Sequence, residues 1–199
     1  MKGSLILVSL FLLGIGAGRL DVVPAFLVQG RAELYILYAL LFLVGIGVGC
    51  DSKALNSILR LNIPGLMVPV MVAVGSLAGA AAVSLFLVRI SVQDGLAVGA
   101  GFGYYSLSSI LIKQIRGEAL GVIALLSNIF REVLTILLAP VLTRLFGKLA
   151  PIACGGATSM DTTLPIIHRC VGTKFAVISV INGIVLSMLV PFLVPFLLR

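Results

Sequence analysis

Seven apolar stretches alternate with short polar joints along the chain. They run at about Leu5–Gly18, Leu34–Cys50, Pro64–Val88, Gly95–Ile112, Ala119–Phe146, Pro151–Ile167 and Phe175–Leu198. The joints Arg19–Glu33, Asp51–Asn62, Arg89–Asp94, Lys113–Glu118 and His168–Lys174 are too short to hold a soluble domain. An α-helix rises about 1.5 Å per residue and needs roughly 20 residues to cross the hydrocarbon layer. Five of the stretches read as crossing helices. The other two, Gly95–Ile112 and Pro151–Ile167, differ in kind.

The first of these contains Gly99-Ala100-Gly101-Phe102-Gly103-Tyr104-Tyr105-Ser106-Leu107-Ser108-Ser109. The second contains Cys154-Gly155-Gly156-Ala157-Thr158-Ser159-Met160-Asp161-Thr162-Thr163-Leu164-Pro165. Each is rich in glycine, then in hydroxyls, then apolar. Glycine costs a helix about 1 kcal/mol, and hydroxyls compete for its backbone. Irregular backbone at membrane depth survives only where protein buries it or where it lines a wet cavity. Both segments therefore read as re-entrant hairpins or broken helices, the alternative being two crossing helices whose glycines permit close packing. They also read as copies. At an offset of 54 residues Gly101 meets Gly155, Ser108-Ser109 meets Thr162-Thr163, Ile110 meets Leu164 and Asn128 meets Asn182. Paired interruptions in a weak internal repeat point to a transporter binding site. One crossing helix separates the two segments, so their tips are expected to meet near the midplane from opposite sides.

That crossing helix, Ala119–Phe146, carries Arg131-Glu132 near its middle. The remainder after the pair, Val133–Phe146, is too short to cross alone, so both charges are expected at depth within one long helix, the alternative being a loop that joins two short buried helices. Charges there are costly and mark function. Asn128, Glu132 and Thr135 follow i, i+4, i+7 and share a face, with Ser127 and Arg131 beside it. Ser179, Asn182, Gly183 and Ser187 form a second polar stripe on the last helix, for which close helix packing is the plainer reading.

Composition agrees with this pattern. The 199 residues are 60% hydrophobic and 11% charged, against about 25% charged in soluble domains, and the mean hydropathy is +1.24. The expected fold is an all-α polytopic membrane protein with about five spanning helices, two re-entrant or broken-helix segments and a weak internal repeat. It forms one transport domain in three parts: residues 1–94 with three spans, 95–146 with the first broken segment and the long helix, and 147–199 with the second broken segment and the last helix. The net charge of +7 is spread over the joints and forms no patch, so it suits the headgroups of a lipid bilayer and no nucleic acid. The apolar run after Met1-Lys2-Gly3-Ser4 imitates a signal peptide, but no convincing small-x-small cleavage site precedes Arg19 and more hydrophobic segments follow, so it reads as a retained first span. Placing Lys2, Lys53, Arg60, Arg144, Lys148, Arg169 and Lys174 on one side and Arg19, Arg31, Arg89, Lys113, Arg116 and Arg199 on the other leaves orientation undecided. Cys50, Cys154 and Cys170 have no metal-binding spacing, and the single histidine, His168, lies in a hydrophilic joint. No cofactor or metal is expected.

Glu132 can pair with a cation or hold a proton. A glutamate that does either, but not both together, is the minimal part of an antiporter; the plainer alternative is a structural ion pair. Asp161 sits at the turn or the start of a half-helix, where it or Thr162 can also serve as N-cap. Open backbone groups there can receive the carboxylate and amine of an amino acid.

Three motifs together, Gly101-Phe102-Gly103-Tyr104-Tyr105-Ser106-Leu107-Ser108, Asn128-x-x-Arg131-Glu132 and Gly156-Ala157-Thr158-Ser159-Met160-Asp161-x-Thr163-Leu164-Pro165, resemble the bacterial lysine exporter LysO family. The resemblance covers the chain from about Ala32 onward. It implies spanning helices with re-entrant segments in the bacterial cytoplasmic (inner) membrane, export of L-lysine and of toxic lysine analogues, and an important membrane-embedded glutamate at Glu132. Long members carry an additional N-terminal helix group with a second intramembrane acid, which nothing here matches; Asp21, Asp51 and Asp94 lie at segment ends. The chain thus resembles the C-terminal portion of a split form, which implies a second short membrane subunit or a homo-oligomer. The candidate substrate and proton site comprises Glu132, Asp161, Asn128, Arg131, Ser108, Ser109, Thr162, Thr163, Tyr105 and Asn182.

Exchange of lysine for protons has an electrical rationale. Moving one positive charge outward against a negative-inside potential costs about 2.3 kcal/mol per 100 mV. A one-for-one swap of a lysine cation for a proton moves no net charge. Two other readings remain at this stage: an intramembrane enzyme, for which no HExxH, GxSxG or partnered Cys-His arrangement exists, and a non-transporting subunit of a membrane complex.

Overall fold

The computed structural model describes residues 63–87 and 90–199, with side chains from residue 67 onward, and residues 17, 19, 35, 39, 42 and 46 singly. Apart from those single positions, the stretches Leu5–Gly18 and Leu34–Cys50 lie outside the described residues, as do Lys2, Arg31, Lys53, Arg60, Arg89, Cys50, Asp21 and Asp51. The chain forms two compact units, Met1–Gly45 and Ile46–Arg199, and the architecture below belongs to the second.

Seven α-helices are described: α1 (Ile63–Ser84), α2 (Val92–Gly99), α3 (Tyr105–Arg116), α4 (Glu118–Phe146), α5 (Ala150–Gly155), α6 (Leu164–Val171) and α7 (Thr173–Leu197), with a 3₁₀ turn over Gly156–Met160. Three of them are long and apolar enough to cross a membrane: α1 over Met67–Ser84, α4 and α7. The fold is that of an all-α membrane protein, and both glycine-rich segments are broken helices. The first is α2, a break at residues 100–104, and α3. The second is α5, the 3₁₀ turn, a break at residues 161–163, and α6.

The long helices are inside out relative to a soluble protein. On α4, Leu126, Phe130, Leu134 and Leu137 are exposed, whereas Asn128 and Thr135 are buried. On α7, Phe192 and Phe196 face outward while Ser179, Asn182 and Ser187 are buried. In lipid the apolar face carries no penalty, and polar groups must find partners inside.

Helices run into the joints that the sequence pattern assigned to loops. Between α3 and α4 the joint shrinks to Gly117, at φ +92°, and between α6 and α7 to Gly172, at φ +85°. Only glycine turns a chain so sharply without strain. His168 accordingly sits in the last turn of α6, 3.3 Å from the Thr173 hydroxyl.

Each broken segment doubles back on itself. Arg116, the last residue of α3, reaches Gln93 at 3.1 Å and Asp94 at 3.3 Å, both in the first turn of α2. In the second segment Lys148, just before α5, lies 5.3 Å from the ring centre of Phe175, in the first turn of α7 just beyond the end of α6. Beneath that contact Ile152, Ile167 and Val171 form a small apolar core with Ile166 and Ile178 against it. Helix α1 closes on α2 through small residues. A Cβ on Gly99 would lie 2.5 Å from that of Ala80, and one on Gly95 would overlap Ser84.

Candidate functional site

The two breaks are built alike and touch. In the first, Phe102 adopts φ +49°; in the second, Gly156, 54 residues later, adopts φ +60°. Each break is pinned by an asparagine from the following long helix. Asn128 Nδ2 donates to the carbonyls of Ala124 at 2.9 Å and Val98 at 3.4 Å. Asn182 Nδ2 donates to Gly156 at 3.0 Å and Ile152 at 3.4 Å. Val98 and Ile152 are again 54 residues apart, so the repeat extends to individual hydrogen bonds.

The repeat is not perfect. Asn128 Oδ1 accepts from the Gly103 amide at 2.7 Å. The matching amide, that of Ala157, instead donates to the Phe102 carbonyl at 2.8 Å, joining break to break. Asn182 Oδ1 is left buried without a donor among the described residues. Gly101 and Gly155 give each asparagine and hydroxyl room. A Cβ on Gly101 would come within 2.6 Å of Asn128 Nδ2, and one on Gly155 within 2.9 Å of Thr163 Oγ1.

The hydroxyls serve the breaks. Buried Ser108 donates to the Tyr104 carbonyl at 2.9 Å, and buried Thr163 donates to Thr158 at 2.9 Å. Ser109 is half-buried on α3, and its carbonyl would lie 3.1 Å from a Cβ on Gly121 of α4. Ser159 and Ser179 tie the 3₁₀ turn to α7, with the Ser179 hydroxyl on the Ser159 carbonyl at 2.8 Å. The packing reading of the second stripe holds for Gly183, where a Cβ would lie 2.5 Å from that of Met160.

Arg131 turns away from Glu132. Its Nε donates to the Cys154 carbonyl at 2.8 Å, Nη2 to the Ala153 carbonyl at 3.0 Å, and Nη1 to the Ser76 hydroxyl at 2.9 Å. It therefore satisfies the open carbonyl end of α5, where the helix dipole favours a cation. Thr135 donates to the Arg131 carbonyl at 2.8 Å. Of the stripe on α4, the structure brings Asn128, Arg131 and Thr135 onto the broken segments and leaves Ser127 exposed.

Glu132 is half-buried and makes no hydrogen bond or ion pair among the described residues. Tyr105, at the start of α3, lies within electrostatic reach of both Glu132 and Asp161. Tyr104 lies within reach of Asp161. Asp161 is exposed, and its carboxylate accepts from the Thr162 amide at 2.6 Å and faces the Thr162 hydroxyl at 3.3 Å. The N-cap of α6 falls on Thr163 and has no side-chain cap bond. The chain leaves the 3₁₀ turn at Asp161, too early for that residue or Thr162 to cap the helix.

Sequence reasoning singled out the asparagines, Glu132 and the glycine pairs but missed the contact of Phe102 with Ala157. The offset of 54 pairs Phe102 with Gly156, and a phenylalanine flanked by two glycines opposite a glycine was the signal available.

The lysine exporter family model, described as "Lysine exporter LysO", matches residues 8–198. The chain is 39% identical over 166 residues to a protein of Escherichia coli named lysine exporter LysO, covering 83% of this chain and 54% of that one. It is 36% identical over 165 residues to a Haemophilus influenzae protein named putative lysine exporter, covering 83% of each. The chain thus spans about half the length of the E. coli relative. No solved structure matches. A match across almost the whole chain, over residues that include both breaks and the helix between them, places this protein in the lysine exporter LysO family.

Proposed function

We propose that the chain exports L-lysine across the bacterial cytoplasmic membrane in exchange for protons, with Glu132 as the shared carrier, and that both broken segments are re-entrant in the bilayer. The observation that carries this reading is the position of Glu132. It lies midway along a 29-residue apolar helix, within electrostatic reach of Tyr105 beside the first break, and its carboxylate has no hydrogen-bond or ion-pair partner among the described residues. Arg131 is engaged elsewhere, which favours a working carboxylate over the structural ion pair. Two segments that double back, separated by one crossing helix, fit inverted repeats meeting at a site near mid-depth. Asp161, Tyr105 and the hydroxyls of Ser109 and Thr162 are assigned to the approach to Glu132. Asn128, Asn182, Ser108 and Thr163 are assigned to holding the breaks in shape. The reading includes a partner, either a second short membrane subunit or another copy of the chain, and the names of the relatives support lysine as the substrate.

The test is counterflow of labelled lysine into vesicles containing the protein, with and without an imposed pH gradient. Wild type is expected to accumulate label under an inward-acid or outward-acid gradient according to its orientation, and Glu132→Gln to lose this entirely. Retained pH-driven transport in Glu132→Gln would remove the carrier role.

A further inference from the structure

A cavity of about 280 Å³ lies between α1, α2 and α4, and Glu132 is not among its lining residues. Its floor is Arg131, its walls include Val83, Val98 and Ile123, and it extends to Leu87 in the connection after α1. The room comes partly from Gly79, where an added Cβ would meet nothing within 4 Å.

Arg131 is an unusual floor for an apolar cavity. A guanidinium carries five N–H groups. Three go to Cys154, Ala153 and Ser76, which leaves one on each terminal nitrogen. No carboxylate pairs with Arg131 among the described residues. The Ser76 and carbonyl contacts supply dipoles but no countercharge, and a cation withdrawn from water without an anion is costly. The two spare donors belong to a side chain that lines the cavity, and a guanidinium is the side chain best matched to a carboxylate. Beyond Arg131 the lining is mainly apolar, with Ser84, Ser127 and Asn128 among it, and its aliphatic part suits a methylene chain.

We propose that this cavity is the subsite for the carboxylate and aliphatic stem of an amino acid, held by Arg131. The proposal rests on the lysine-export reading and deepens it by stating where the carboxylate end of the substrate is recognised. A free carboxylate on an aliphatic stem is the ligand class.

The experiment uses the full chain, with its partner where one co-purifies, and two readouts. The first is thermal stabilisation by L-lysine, by 6-aminohexanoate, which keeps the carboxylate and stem, and by 1,5-diaminopentane, which has no carboxylate. The second is counterflow of labelled lysine. Because Arg131 also holds α5, the variant is Gly79→Leu, which fills the cavity from a helical position with open space, and the control is Gly75→Leu one turn away. Gly75 is equally free of neighbours but does not line the cavity. Lysine and 6-aminohexanoate should stabilise wild type and Gly75→Leu. The diamine should bind at least about tenfold more weakly, as expected for loss of a charge-assisted hydrogen bond. Gly79→Leu should lose both the stabilisation and the counterflow. Equal binding of the diamine, no stabilisation by any probe, or unchanged binding in Gly79→Leu would overturn the subsite. Stabilisation that follows this pattern without any lysine flux in wild type would instead remove the export reading and leave the carboxylate subsite standing.

Discussion

The amide of Ala157 donates to the carbonyl of Phe102 at 2.8 Å, and this bond joins the two helix breaks directly. It also explains the difference between two otherwise matched asparagines. Asn128 Oδ1 receives the Gly103 amide. The equivalent amide of the second repeat is committed to Phe102, so Asn182 Oδ1 has no donor among the described residues. The two halves of the repeat thus share the bond to Val98 or Ile152 and part company in the others, most clearly at the point where they meet.

Gly156 is the residue on which this contact depends most. Its φ of +60° disfavours any side chain, and a Cβ there would overlap the Phe102 carbonyl and come within 2.9 Å of Arg131 Nη2. Gly117 has φ +92° but open space around it. Gly117→Ala should therefore cost only backbone strain, about 1–3 kcal/mol, while Gly156→Ala should cost that and separate the breaks. The thermal midpoint of the detergent-purified protein measures both, and Gly156→Ala should fall clearly further and lose transport. Equal shifts would mean that the contact between the breaks contributes little.

The asparagines should be costly to remove, for different reasons. Asn128→Ala deprives the Gly103 amide and two carbonyls of a partner. Asn182→Ala deprives the Gly156 and Ile152 carbonyls and the Ser159 hydroxyl oxygen of a donor, leaves no backbone amide unpaired and also removes an orphaned oxygen. An unsatisfied buried backbone group costs about 1–3 kcal/mol. Asn128→Ala is expected to be the more destabilising of the two. Asn182→Asp should be worse than Asn182→Ala, because it sets an acceptor against carbonyl oxygens. Comparing thermal midpoints of the four proteins, wild type included, checks both orderings.

Much of this was legible in the sequence. Apolar lengths located α1, α4 and α7 to within a few residues, and the glycine-hydroxyl runs located both breaks. The offset of 54 pairs Asn128 with Asn182 in the sequence itself. The ends of α3 and α6 were not legible, because a polar joint such as Lys113–Glu118 is also a good helix end when one glycine can make the turn. The partners of Arg131 were not legible either. Adjacent charges suggest a mutual pair, but neighbours on a helix point about 100° apart, and the carbonyls that Arg131 meets lie 22 and 23 residues away in sequence.

Arg131 makes a further prediction. Its three nitrogens diverge to Cys154, Ala153 and Ser76, on two different elements. A lysine keeps the charge but concentrates its donors on one atom. Arg131→Lys should therefore release at least one of these contacts, leave a carbonyl at the end of α5 unsatisfied and lower stability by about 1–3 kcal/mol. For a chain of this size each kcal/mol corresponds to roughly 2–4 °C in thermal midpoint. A midpoint within 1 °C of wild type, near the resolution of the measurement and well below that ~2–4 °C per kcal/mol, would show that charge alone is what the α5 terminus requires.

Glu132 should behave in the opposite way. It accepts no hydrogen bond and joins no ion pair among the described residues, so Glu132→Gln removes a charge without breaking a contact. Its thermal midpoint should stay within the range expected of a substitution away from structural features, about 0.5 kcal/mol either way. Tyr105→Phe offers a companion measurement, since it deletes the hydroxyl that lies within reach of Glu132 and Asp161 and leaves the ring in place. It too should melt near wild type, and lysine counterflow should fall while retaining some pH dependence, because the carboxylate remains. A large loss of stability in Glu132→Gln would mean that the carboxylate supports the fold, and its candidacy as a proton and substrate carrier would lose the argument from its missing partner.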